Sequence, residues 1–478
     1  MNRYITTTLP YVNADPHIGF ALEIVQADVM ARAWRARGDD VFFTTGTDEH
    51  GQKIFQKAEK EGQEVQAYVD HFAAEFEKLR NGLNLSYDRF IRTTEPGHIA
   101  AAQEFWKRCA AGGDIYKKKY SGLYCVGDEA FVKESDLVNG RCPNHPNQEL
   151  ITIEEENYFF RLSAYQERLR EYLSREHVVI PEWRRKEAQA FVEGGLEDFS
   201  ISRETSRMSW GIPVPGDDLQ VMYVWFDALT NYISTLGWSK DTEGNFKKFW
   251  ENGQTVQMAG KDQVRFQSII WQAMLMSAGI KTTDSVFYHG FITWDGQKMS
   301  KSIGNVISPY ALIEKYGTDA TRYLLLRHMH PTEDTDVSWE RLDEWYAANL
   351  VNGIGNLVAR VMKLAETYLD TPVVFTAEEI AVDPQFQNAL DAFEFTAAAD
   401  VIWKHISEAD EFMTARAPYK AIKVEETKEA ALADISILVT KVARIAAHLK
   451  PFMPETSWVI LAAIRENKKP ENLFPRLA

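Results

Sequence analysis

The first fifty residues restrict the fold more than any other stretch. A β-branched run, YITTTLPYV, stops at PHIGF, an amphipathic stretch ALEIVQADVMARAWRARG follows, and DDVFFTTG returns to strand composition. With Pro16 at the helix entrance and Gly38 as its stop, this order reads as a βαβ unit of a parallel sheet. The first strand is expected over about residues 3–9, the helix from Pro16 and His17 to Arg37, and the second strand over 39–46. Parallel sheets take ligands at the carboxyl ends of their strands. Both PHIGF and GTDEHG, residues 46–51, fall at such ends.

The rest of the chain divides around this start. Residues 115–220 break the alternation with short strands, turns and two cysteines, and read as an insertion between two α/β stretches, 1–114 and 221–337. Alternation resumes in MYVWFDALTNYIS, TVQMAGKDQVRFQSIIWQAML and SVFYHGFITWDGQKMSKSIGN. Residues 338–478 are helical in pattern, with apolar stripes at Leu350, Ile354, Leu357, Val361 and Leu364, and at Leu432, Ile435, Leu438, Val442, Ile445 and Leu449. A chain of 478 residues with 45% hydrophobic and 26% charged residues fits an ordinary multidomain globular protein. Its formal charge of −16 excludes a polyanion binder that relies on a uniformly basic surface, while local basic patches remain compatible. Three cysteines argue against a disulfide framework and for a reducing compartment. MNRYITTTLPYV has no apolar targeting core, and SIIWQAMLMSAG is too short to span a bilayer, so a cytoplasmic protein without a membrane partner is expected.

Three loops carry chemistry. His17 and Gly19 fall in the opening turn of the first helix, where unpaired backbone N–H groups and the dipole favour a phosphate. The histidine donates to a phosphate oxygen and the glycine lets a flat base approach, although a capping turn with an incidental histidine fits the same residues. In DGQKMSKSIGN, Lys298 and Lys301 stand three apart beside Ser300 and Ser302. Such a pair clamps a triphosphate and follows its charge as a bond to the α-phosphorus breaks; a solvated surface loop is the other reading. Within the insertion, Cys125-x2-Asp128 is followed thirteen residues later by Cys142-x2-His145. The x2 spacing aims two ligands at one tetrahedral zinc, and four filled positions would make the site structural. A carboxylate is a less common structural ligand, and two buried cysteines with a surface acid are the alternative.

PHIGF and KMSKS resemble the two signature motifs of class I aminoacyl-tRNA synthetases. TTTLPYVNADPHIG, FFTTGTDEHGQKI, SRMSWGIPVP, YVWFDALTNY and GKD are similar to the methionyl-tRNA synthetase family, and the resemblance runs from residue 3 through the helical C-terminal third. It implies an α/β fold: a Rossmann-type parallel-sheet catalytic domain, an inserted zinc-knuckle connective domain and a C-terminal α-helical bundle that binds the anticodon. The implied activity is ATP-dependent attachment of L-methionine to methionine tRNA through a methionyl-adenylate, with Mg²⁺ accompanying ATP. The rival readings are another class I synthetase, an adenylate-forming paralogue, or a non-catalytic tRNA-binding paralogue.

The resemblance also implies roles for residues. His17 and Gly19 lie under the nucleotide, Lys298 and Lys301 act in the reaction with Lys301 on the pyrophosphate, and Gly260 and Asp262 face the ribose. Asp48 takes the methionine ammonium, while Leu9, Tyr11, Trp225, Ala228, Leu229, Tyr232, Gln267 and Trp271 line its slot; taken singly, such aromatics also suit plain core. Asn356 and Arg360, four apart on one helix, match the anticodon-reading pair, and Tyr419 stands where a stacking tryptophan is usual. An Asn/Arg pair equally suits a solvated face. The family often has cysteine where Asp128 stands, its second signature histidine is replaced by Phe20, and Gln267 stands where the methionine pocket usually has histidine. Phe20 removes a phosphate donor, and Gln267 hydrogen-bonds without titrating near neutrality. With ENLFPRLA following the bundle and no appended tRNA-binding domain, a monomer is expected.

Overall fold

A computed structural model describes every residue except 128, 129, 133, 144, 242, 295, 299–305 and 478, and leaves out the side chains of 120, 130, 131, 135, 153 and 298. Asp128, Ser300, Lys301 and Ser302 therefore lie outside the described residues, as does the Lys298 side chain. The chain forms two compact units, one of Met1–Pro16, Gly38–Arg80 and Tyr87–Tyr288, the other of His17–Arg37, Asn81–Ser86 and His289–Ala478.

The first unit is built on a sheet of β1 (Asn2–Thr6), β2 (Asp40–Thr47), β3 (Arg89–Arg92), β4 (Val179–Ile180), β5 (Gln254–Gly260) and β6 (Ser285–His289), in the order β3-β2-β1-β5-β6-β4. The pairs β1–β2, β1–β5, β2–β3 and β4–β6 run parallel, which bears out the parallel-sheet expectation. Strand order reverses between β1 and β5, so the crevice beyond their carboxyl ends is the switch point where open α/β sheets bind ligands. β1 ends at Thr6 rather than near Leu9. Pro10 has no N–H for a ladder, and Tyr11 pairs again with Asp48, just past the end of β2, through an isolated parallel bridge.

The inserted segment opens on a long antiparallel pair, Ile115–Cys125 against Ile151–Phe160, flanked by Ala130–Val132 and Phe199–Ser200. The unit's core is aromatic. Phe105 stacks on Trp271 with centroids 5.6 Å apart, and Trp250 and Tyr232 complete the packing around that indole.

The second unit contains α1 (Ile18–Ala36), which is not amphipathic in place: it is buried nearly all round, Glu23, Gln26 and Asp28 included. Such a helix must pair its charged side chains. Glu23 Oε2 lies 2.9 Å from His289 Nε2, and Asp28 Oδ2 lies 2.6 Å from Arg32 Nε and 2.8 Å from Arg322 Nη2. The remaining helices include Trp339–Trp345, a π-helical turn Tyr346–Gly355 that kinks at Gly353, Asn356–Tyr368, Phe395–Arg416, Lys428–Leu449 and Pro454–Glu466. Both apolar stripes face their core, with Leu364 and Leu432 only half-buried. Among the described residues no helix is long and apolar enough to cross a membrane.

Candidate functional site

In the second unit His17 is the N-cap of α1, and its Nδ1 accepts from the backbone N–H of Gly19 (3.1 Å) and of Phe20 (3.3 Å). The Ile18 N–H donates to the Ile307 carbonyl at 3.0 Å. The expectation of unpaired amides at this helix start is thus corrected: the first three N–H groups are engaged within the chain. An accepting Nδ1 leaves the neutral ring with its proton on Nε2, so His17 is a donor at its outer nitrogen. Gly19 has a local reason as well, since a Cβ there would meet the His17 ring at 2.9 Å. Phe20 is a buried residue of α1.

In the first unit Gly260 closes β5, and exposed Asp262 follows in the short turn Lys261–Gln263. The methionine-slot candidates form two sets. Tyr232, Gln267 and Trp271 pack together: Gln267 Nε2 donates to Tyr232 Oη at 2.7 Å, and the Tyr232 and Trp271 rings lie 5.8 Å apart. Behind them a buried polar chain fixes the Gln267 amide. Gln257 Nε2 donates to Gln267 Oε1 (3.4 Å), Gln272 Nε2 to the Gln267 carbonyl (2.8 Å), and Thr283 Oγ1 to Gln257 Oε1 (2.8 Å). Trp271 is 0% exposed and packs on Tyr232, whereas Trp225 is half-buried and stacked on Phe266 with centroids 3.8 Å apart. Ala228 and Leu229 are buried on the helix Val224–Leu229.

The second set is the end of β2, and each of its residues is separately anchored. Asp48 N–H donates to the Pro10 carbonyl (3.0 Å) and its own carbonyl accepts from Val12 N–H (3.1 Å), which holds Asp48 beside Tyr11; half-buried Leu9 comes just before Pro10. Glu49 is fully buried and takes Arg92 through two bonds (2.6 and 2.8 Å), with Thr47 Oγ1 at 2.6 Å and Thr94 Oγ1 at 2.5 Å. Its N–H donates to Thr93 Oγ1 (2.9 Å) and its carbonyl accepts from Trp210 Nε1 (2.6 Å). His50 Nδ1 lies 3.2 Å from Asp227 Oδ2, and Gly51 then turns the chain with φ 122°, a conformation that favours glycine. Burial pushes the Asp227 carboxyl up, but the neighbouring His50 and His98 outweigh it and hold it below the usual carboxylate range. Glu49, His50, Arg92, Asp227 and His98 were not singled out from the sequence.

The insertion brings Cys125, Cys142 and His145 together, their ligand atoms all within 4.8 Å of one another. Cys125 Sγ and His145 Nδ1 are 3.8 Å apart. A tetrahedral ion with bonds of about 2.0–2.3 Å spaces its ligands by roughly 3.3–3.8 Å, so the residues fit a metal. Gly127 makes room for the third ligand, because a Cβ there would sit 2.4 Å from the His145 ring.

In the second unit Asn356 and Arg360 lie on the helix Asn356–Tyr368. Asn356 is exposed, and Arg360 Nη1 donates to Asp410 Oδ1 at 3.0 Å, a pair open to solvent on both sides. Tyr419 is 39% exposed on the short helix Pro418–Ala421.

An open parallel sheet whose strand order reverses between β1 and β5 is the build of a nucleotide-binding α/β enzyme. Residues 3–154 and 147–362 match the family described as class I tRNA synthetases (M). The chain belongs to the methionyl-tRNA synthetase family of that class. It is 39% identical over 487 residues to the methionine–tRNA ligase of Fusobacterium nucleatum, covering 99% of this chain and 76% of the relative. The methionine–tRNA ligase of Thermosynechococcus vestitus is 42% identical, covering 95% of this chain and 88% of its own length. Among solved structures, Mycobacterium tuberculosis methionyl-tRNA synthetase in complex with methionyl-adenylate superposes with a TM-score of 0.90 at 37% identity, covering 96% of this chain and 93% of that one.

Proposed function

We propose that this protein attaches L-methionine to methionine tRNA at the expense of ATP, passing through methionyl-adenylate and releasing AMP and pyrophosphate. The observation that carries the reading is the match along nearly the whole chain to a synthetase holding that adenylate. The methionine carboxylate attacks the α-phosphorus in line, and no covalent intermediate with the enzyme is required. Asp48 takes the ammonium, held rigid by the bonds on either side of it. Leu9, Tyr11, Trp225, Ala228, Leu229, Tyr232, Gln267 and Trp271 are read as the wall around the thioether, for which aromatic edges and a polarisable slot are suited. His17 Nε2–H is assigned to a phosphate oxygen, Gly260 and Asp262 to the ribose, and Lys298 and Lys301 to the phosphates, Lys301 stabilising departing pyrophosphate. Mg²⁺ bound with ATP would supply further neutralisation of the phosphates. Transfer to the 2′-hydroxyl of the terminal adenosine then follows the class I pattern.

We read residues 1–114 and 221–337 as the catalytic domain, 115–220 as a connective insertion and 338–478 as the anticodon-binding domain. Cys125, Cys142 and His145, with Asp128 as fourth ligand, are assigned to one structural Zn²⁺, supported by the ligand spacing. Asn356 and Arg360 are assigned to unstacked anticodon bases and Tyr419 to stacking on one of them. Arg360 has to exchange Asp410 for the base. A monomer in the cytoplasm completes the reading.

ATP–pyrophosphate exchange with each amino acid in turn tests the activity. Exchange with methionine alone is expected; exchange with leucine, valine or cysteine but not methionine would indicate another class I synthetase. Absence of any adenylate while tRNA still binds would indicate a non-catalytic paralogue. Elemental analysis of protein purified without added metal is expected to find one zinc per chain, falling to none in Cys142→Ser; a metal-free wild type removes the metal assignment.

A further inference from the structure

We propose that Asp227, with His50 and His98, is a positioning device that fixes the Asp48 turn against the helix Val224–Leu229. The proposal rests on the methionine reading of Asp48 and extends it to residues that touch no substrate. Asp227 lies in the middle of that helix, between Trp225 and Ala228, and is 0% exposed. Its two oxygens face two imidazoles from different elements. His50 Nδ1, two residues after Asp48, is 3.2 Å from Oδ2, and His98 Nε2, on the helix Pro96–Ala111, is 3.8 Å from Oδ1; both are electrostatic contacts without hydrogen-bond alignment. His98 is held in turn by Ser234 Oγ at 2.9 Å from its Nδ1.

A carboxylate and two imidazoles removed from water are a costly way to join three elements, since apolar side chains of similar volume give equal or greater stability. What an ionic centre provides instead is one permitted register. The elements joined here are specific: one carries the carboxylate assigned to the substrate ammonium, another the residues assigned to its side chain. Asp48 is fixed on one side by its backbone bonds to Pro10 and Val12, and on the other the Asp227 charge attracts His50 across 3.2 Å. Past that point Gly51, at φ 122°, begins a new direction before the helix Gln52–Lys60. Without the Asp227 charge, the turn keeps its Glu49 anchors but loses the one that ties it to the slot helix. A misplacement of an ångström suffices to weaken a positioned charge pair severely.

The test is Asp227→Asn in the full-length enzyme, which keeps the side-chain shape and removes the charge, assayed by ATP–pyrophosphate exchange. The KM for methionine is expected to rise about tenfold or more, with the KM for ATP within twofold of wild type. His50→Gln is expected to show the same split, His98→Gln a smaller one, and Asp227→Glu a partial return. The two histidine variants carry the test if Asp227→Asn does not fold. An unchanged methionine KM in Asp227→Asn or His50→Gln, or equal losses for methionine and ATP, would overturn the positioning role. If Asp48→Asn leaves the methionine KM unchanged, the methionine reading of the turn fails, and the proposal with it.

Discussion

Replacing Asp48 by alanine is expected to raise the KM for methionine in ATP–pyrophosphate exchange by about a hundredfold, leaving the KM for ATP where it was. An α-ammonium brought into a site where Asp48 is 7% exposed gives up its hydration, and the carboxylate is what compensates it. Truncating one member of a desolvated charge pair costs about 2–5 kcal/mol, which is roughly thirtyfold to several thousandfold in affinity. The turn itself survives the change. Asp48 is held by its backbone, through Pro10 and Val12, and the Glu49 side chain keeps Arg92, Thr47 and Thr94. The loss therefore appears in methionine binding rather than in melting temperature. Asp48→Asn, which retains an acceptor without the charge, is expected to fall between wild type and alanine. A change of less than threefold in Asp48→Ala would take the ammonium away from Asp48.

The same turn shows what a single sequence discloses. GTDEHG was legible as a strand end, because β-periodicity places it at the ligand end of a parallel strand, while the role proposed for Asp48 came from the family resemblance. Glu49 and His50 carried no signal of their own, because their partners lie far along the chain, Arg92 at 43 residues and Trp210 at 161. Only the fold brings them together. α1 misled for a related reason. Glu23, Asp28 and Arg32 gave it the pattern of a half-exposed helix, but His289 and Arg322, far downstream, pair with the two acids and allow them to be buried. His17 was read correctly as standing at a helix start. Its Nδ1 bonds to the amides that sequence reasoning had left open follow from its β-region backbone, φ −120° and ψ 165°, which local composition does not specify. The meeting of Cys142 and His145 was readable in advance because an x2 loop fixes geometry locally, and Cys125 joins them from the preceding strand, while Asp128 lies outside the described residues.

Removing the guanidinium of Arg322 is expected to be the most damaging single change to stability in the second unit. Arg322 is 0% exposed, and its fork donates to the carbonyls of Phe452 (2.8 Å), Leu83 (2.9 Å) and Pro451 (2.9 Å), while Nη2 lies 2.8 Å from Asp28 Oδ2. Arg322→Met leaves these carbonyls without that donor and Asp28 with only Arg32 and Ser86. Breaking a buried pair from one side costs about 3–5 kcal/mol, and for a unit of this size that corresponds to a fall of roughly 10 °C in the melting transition. Burial pushes the Asp28 carboxyl up, but Arg322 and Arg32 outweigh it and hold it below the usual carboxylate range. A carboxylate depressed in the folded state contributes its full stability above about pH 4 and loses it as pH falls through the folded value, so a measurement at pH 7 captures the whole effect. Arg322→Lys is expected to recover less than half, because one ammonium cannot span three carbonyls and a carboxylate that a planar fork meets together. Adding Asp28→Asn to Arg322→Met is expected to cost less than the two single losses combined, since the second change removes the charge the first one stranded. Strict additivity, or a shift of under about 2 °C in Arg322→Met, would mean that the carbonyls find other donors and that this ion pair does not hold α1 to the segment around Phe452.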